Sequence, residues 1–164
     1  MDMTLQAVYD WISARVAEGC RIVAVDPITA AATSARPWEA DQQFVTRCKT
    51  LASRSGASIV LVTHPRGLAA NAPPDADSMA GGRAYGRFTD CCLWLQSHNP
   101  PKEGKIRTAL GDTDMEYDRT LTLTKTRDGN GQGLSIAFKW HGDRLSLTEL
   151  GAILPQKKRK AKDD

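Results

Sequence analysis

Three short stretches of this sequence hold side chains that chemistry can use. Asp26 directly follows the apolar run Ile22-Val23-Ala24-Val25. A carboxylate just past the end of a buried strand can hold a hard cation such as Mg²⁺ where nucleotide phosphates lie. The same pattern also arises when Asp merely caps a turn, and alone it favours that structural reading. His64 follows the second apolar run, Ala57–Thr63. An imidazole there can donate one hydrogen bond to a terminal phosphate, or simply be a satisfied strand-end histidine. The third stretch is Lys125-Thr126-Arg127. Residues two apart on a strand share a face, so two cations would aim one way. That suits a clamp on phosphate charge supplied to a neighbouring subunit, or a solvated sheet edge.

The elements that must carry these residues are readable from periodicity. Leu5, Val8, Tyr9, Ile12 and Val16 recur at helical spacing and predict a helix from Thr4 to Glu18, stopped near Gly19. Ile22–Val25 and Ala57–Thr63 read as strands buried on both faces. Between them a helix is expected over 38–53, with Ala40, Phe44, Cys48 and Leu51 as its buried stripe. Ser78–Phe88 reads as a short, glycine-weakened helix, and Cys91–Leu95 as a third buried strand ended by a break at His98–Gly104. Beyond it, Thr120–Thr124 and Leu134–Phe138 alternate apolar and polar residues around the glycine-rich 128–133, which predicts an antiparallel hairpin. Leu145 and Leu147 extend that hairpin or form a further short strand. The expected fold is α/β: parallel strands with flanking helices, plus a C-terminal β-hairpin at one edge.

Composition narrows the class. The 164 residues suffice for one compact domain, taken as 1–155. The tail 156–164 holds five cations and two acids, an excess equal to the net charge of +3, so the remainder is neutral. This tail is expected to be disordered, with a nonspecific contribution to nucleic-acid binding. No apolar run reaches the ~20 residues that cross a bilayer. Met1-Asp2-Met3-Thr4 lacks the basic start and apolar stretch of a signal peptide, so a cytoplasmic protein without membrane contact is expected. Cys20, Cys48, Cys91 and Cys92 form no CxxC pair and read as reduced thiols.

Taken together and in order, these motifs resemble the RecA-like motor domain of hexameric replicative DNA helicases, including phage primase-helicases and plasmid RepA-type helicases. Arg21–Thr29 looks like that family's Walker B strand. Leu61–Arg66 looks like its sensor strand and the start of a DNA-facing loop. Met79–Asp90 is similar to its glycine-rich segment, and Lys125–Gly129 with Gly131 and Gly133 to its Lys-x-Arg finger and following turn. The resemblance implies a partial P-loop NTPase sheet with ATP and Mg²⁺ as cofactors. It implies Asp26 as the Mg²⁺ residue, His64 as the γ-phosphate sensor, and Lys125 and Arg127 as groups reaching the adjacent subunit's ATP. Arg66, Arg83 and Arg87 would approach single-stranded DNA.

One departure is large. No Gly-x-x-x-x-Gly-Lys-Ser/Thr occurs anywhere in the chain, so the backbone cradle and lysine that hold phosphates are missing. The catalytic glutamate of the family would also precede this sequence. The chain therefore reads as the C-terminal part of a motor, inactive unaided, that self-associates or is completed by a Walker A-bearing partner. Two other readings remain: a catalytically inactive RecA-like module for DNA binding or assembly, and an unrelated α/β protein in which Asp26 and His64 are structural.

Overall fold

The computed structural model describes residues 3–31, 37–64 and 83–155. It is a mixed α/β protein with a two-stranded parallel sheet and a four-stranded antiparallel sheet. The chain divides into two compact units, Met1–Cys92 and Leu93–Asp164.

In the first unit, helix α1 (Leu5–Ala17) starts where the Thr4 side chain accepts a hydrogen bond from the Ala7 N–H. It stops before Gly19, whose φ of 96° favours glycine. Its stripe buries Val8 and Ile12. Strand β1 (Ile22–Val25) follows, then a 3₁₀ turn over Ile28–Ala30, helix α2 (Pro37–Ser55) and strand β2 (Ser58–Leu61). β1 and β2 pair in parallel, Ile22 opposite Ser58 through Val25 opposite Leu61. α1 packs on β1, and α2 on both α1 and β2. A short helix, α3 (Arg83–Phe88), packs against α2. The core joins Val8, Ile12, Val23, Phe44, Val45, Cys48 and Tyr85.

Three expectations are corrected here. The parallel strands are covered on one face only: Val23 is buried, while Ile22 is 71% and Val60 47% exposed on the other face. The helices that contact the sheet shelter only one side of it. In addition, Cys91–Leu95 does not join these strands. It begins β3 (Cys91–Thr108), whose hydrogen-bonded neighbours are β4 and β6. Nor does the chain break at His98–Gly104, since β3 runs straight through. Pro100 and Pro101 are exposed, and an extended strand accepts proline wherever the missing N–H is not needed by the ladder.

The second unit is antiparallel. β3 turns at Ala109-Leu110 into β4 (Gly111–Thr126), which pairs with β5 (Ser135–His141), and β5 pairs with β6 (Ser146–Ile153). Pairing of Ile106 with Ile153 and Arg107 with Ala152 brings β6 back to β3 and closes the sheet. The expected hairpin is thus present as β4–β5, with Thr120 opposite Ala137, but it belongs to this antiparallel sheet and does not extend an edge of the parallel one. Leu147 belongs to a full strand of its own, β6. The register steps from Ala137 opposite Gly151 to Phe138 opposite Glu149, which leaves Leu150 as the extra residue of a bulge on β6, and a Cβ on Gly151 would lie 2.2 Å from the Arg107 carbonyl oxygen. Ile106, Tyr117 and Ala137 form the buried centre, with Met115, Leu150 and Ile153 packed against it. None of the described helices is long and apolar enough to cross a membrane.

Candidate functional site

The parallel register decides where Asp26 and His64 emerge. Pairing continues beyond the strands: the Val62 N–H donates to the Val25 carbonyl at 2.9 Å, and the Ile28 N–H donates to the Val62 carbonyl at 2.9 Å. These bonds hold the two strand ends side by side. Asp26, in the turn after β1, and His64, three residues after β2, therefore leave from the same carboxyl end of the sheet, and both are exposed. Ligands of parallel sheets bind beyond that end. The buried Ile28 anchors the chain immediately after the Asp26 turn.

The other candidates are distributed differently. Arg66 lies outside the described residues. Arg83 opens α3, and its side chain is likewise outside them. Arg87, on the same helix, is exposed, with its guanidinium carbon 5.8 Å from the centre of the Phe88 ring. Lys125 is half-buried near the end of β4, and Arg127 is the first residue after that strand. On the side of β5 the hairpin closes at Leu123, which donates to the Leu134 carbonyl and accepts from the Gly133 N–H, while β4 itself runs on through Lys125 and ends at Thr126, before Arg127. Strand alternation therefore does not govern Arg127. Gly131 and Gly133, with φ of 135° and 90°, make this turn possible. Asp26 and His64 belong to the first compact unit, Lys125 and Arg127 to the second.

Further polar groups sit where sequence reasoning did not look. Asp41 is 8% exposed on α2 and accepts a hydrogen bond from the Tyr85 hydroxyl at 3.1 Å. Burial, reinforced by the Asp41 charge, pushes the Tyr85 phenol well above its ordinary pKa, so it stays a donor. In the second unit, His98 and Thr120 are buried together, and Asp118 accepts from the Trp140 N–H at 2.8 Å. None of the four cysteines is in a disulfide; Cys20 and Cys91 are exposed. Burial raises the Cys48 thiol to about 12, which removes it as a nucleophile. Among the described residues, no three His, Cys, Asp or Glu side chains gather as a metal site.

Among the described residues, the chemistry available at the parallel-sheet end is that of the Asp26 carboxylate and the His64 imidazole. Asp26 suits a Mg²⁺ whose other ligands are phosphate oxygens and water. The described residues add no glycine-rich cradle beside it. The sequence matches no protein-family model and no curated protein.

Proposed function

We propose that this chain is the carboxyl-terminal part of a RecA-like ATPase motor of the ring-helicase kind, acting in DNA unwinding when a Walker A-bearing part completes it. The observation that carries this reading is the parallel pairing of β1 with β2, which delivers Asp26 and His64 from one carboxyl end. In this reading Asp26 holds the Mg²⁺ of ATP and His64 meets the γ-phosphate. Lys125 and Arg127 serve the nucleotide of an adjacent subunit, while Arg66, Arg83 and Arg87 line the path of single-stranded DNA. The bare apolar face of the parallel sheet supports the incompleteness in this reading, because parallel sheets are normally covered on both sides.

A second reading rests on the missing phosphate loop: a RecA-like module without catalysis that binds DNA or supports an assembly. The decisive experiment measures single-stranded-DNA-stimulated ATP hydrolysis by the chain alone and mixed with the Walker A-bearing product of any adjoining reading frame. Hydrolysis only in the mixture, lost in Asp26→Asn and in Arg127→Ala, is the expected result. Hydrolysis in the mixture that survives both substitutions would overturn the assigned roles. No hydrolysis in either sample, with DNA retained, would favour the second reading.

A further inference from the structure

We propose that His98 is an acid-labile fastener between β3 and β4, built so that protonation loosens this pair of strands. The inference is independent of the motor reading, since it concerns only the second unit.

His98 sits on β3 and is 7% exposed. Its Nε2 lies 3.0 Å from the Oγ1 of Thr120 on β4, itself buried. The ring meets Tyr117 edge-on, with centroids 5.8 Å apart and planes at 82°. Tyr117 is one of the buried centre residues of this unit, so the imidazole touches the core directly. A neutral imidazole suits this place. Its Nε2 exchanges one hydrogen bond with a hydroxyl that rotates to match, and its ring face and edge are apolar enough to pack.

An imidazolium does not suit it. The charged groups acting on His98 are Lys102 from β3, and Arg119 and Asp118 from β4. Asp118 is already committed to the Trp140 N–H and lies 3.9 Å from Arg119. The Tyr117 phenol, raised by burial, remains neutral and contributes no countercharge. A third cation would therefore be placed in a desolvated position beside two others, with one shared carboxylate to balance them. Burial first, and then Lys102 and Arg119, hold the imidazole below its ordinary value of 6.5.

The sign follows from linkage. As pH falls through the unfolded value of about 6.5, the unfolded chain takes up the proton and the folded strands do not. The contribution of a neutral His98 to stability is present above that value and is lost on acidification towards the lower folded value. The other displaced groups of this unit titrate elsewhere: Asp112 is lowered from an already acidic value, while Arg107, Tyr117 and Lys139 are raised from basic ones. His98 is thus the displaced group that responds between neutrality and mild acid.

The test uses the full chain. Imidazole titration by NMR, with the His98 signal assigned through His98→Gln, follows His98 against its ordinary value of 6.5. Hydrogen exchange of β3 and β4 amides is then followed at about pH 7.5 and about pH 5.5, corrected for intrinsic rates. The expected result is that His98 titrates below 6.5 and that β3–β4 protection falls at the lower pH. In His98→Phe, which keeps an apolar ring but cannot be protonated, that acid sensitivity should vanish. Lys102→Gln, an exposed change, should raise the His98 titration towards 6.5 and reduce the loss of protection. Titration of His98 at or above 6.5 would overturn the proposal. So would undiminished acid sensitivity in His98→Phe, or in Lys102→Gln should the phenylalanine variant not fold.

Discussion

The two compact units solve the problem of burying a sheet in opposite ways. In the first, a parallel pair depends on helices: α1 lies on β1, α2 on β2, and large side chains from every layer share one core. In the second, Ile106, Tyr117 and Ala137 form a small buried centre, and cohesion comes from four antiparallel strands whose ladder closes between β3 and β6. The first unit leaves an apolar sheet face open at Ile22 and Val60. The exposed leucines of the second include Leu110, Leu134 and Leu145, which stand in or beside its turns. A parallel sheet covered on one side is an unfinished layer, whereas a closed antiparallel sheet needs no further layer to satisfy its backbone.

That contrast can be broken at its narrowest point. Gly151 adjoins the bulge on β6 with φ of 132°, and any Cβ would strike the Arg107 carbonyl at 2.2 Å. Gly151→Ala combines left-handed strain with a backbone overlap that no flexible side chain can relieve. We expect a loss of about 4–6 kcal/mol and opening of the β3–β6 seam. Amide exchange should become fast throughout the second unit while α1 and α2 keep their protection. Equal loss of protection in both units would show that they fold as one.

The next largest effect compares the two fully buried isoleucines, Ile12 in the first unit and Ile106 in the second. Each truncation to Ala should cost about 2–5 kcal/mol. Helical neighbours around Ile12 can shift to fill the space more easily than strands locked in a ladder around Ile106. Denaturant unfolding followed separately by helical circular dichroism and by amide exchange of β4 and β5 should therefore show Ile106→Ala as the costlier change, each variant moving mainly its own unit's transition. The reverse order would mean that the ladder adapts better than the helices do.

Much of the first unit was legible in the sequence, and the reasons are local. Ile22–Val25 is bounded by Arg21 and Asp26-Pro27, and the stripe through Phe44 and Cys48 has helical spacing, so the elements and the strand-end positions of Asp26 and His64 followed. Which face of the sheet is covered depends on what packs there, and an apolar run does not encode that. In the second unit, the prolines at 100 and 101 read as a break because proline's lost N–H weighs on a strand only where the ladder needs it. A signal for the start of β4 was present: Thr113, Met115 and Tyr117 alternate with Asp112, Asp114, Glu116 and Asp118. The acidic residues hid it, since they lower strand propensity while marking the wet face. The pairing of His98 with Thr120 and the crowding of Gly151 arise from register between distant residues, for which a single sequence carries no local mark.

The smallest of these effects tests how the last helix of the first unit is held. α3 is short, and its Tyr85 is 3% exposed, with its hydroxyl on Asp41 of α2. Tyr85→Phe keeps the ring and its packing but takes one donor from a buried carboxylate. Hydrogen bonds to charged groups contribute about 1.5–3 kcal/mol, and the ring's unchanged packing argues for the lower end. The variant should unfold about 1.5 kcal/mol more easily in the first unit's transition and leave that of the second unmoved. Asp41→Asn made alongside it separates charge from geometry. An amide oxygen still accepts from Tyr85, so if the hydrogen bond matters more than the charge, this variant should lose less than Tyr85→Phe. A larger loss in Asp41→Asn would assign the stabilisation to the carboxylate's charge instead, and α3 would then be held chiefly by electrostatics at α2.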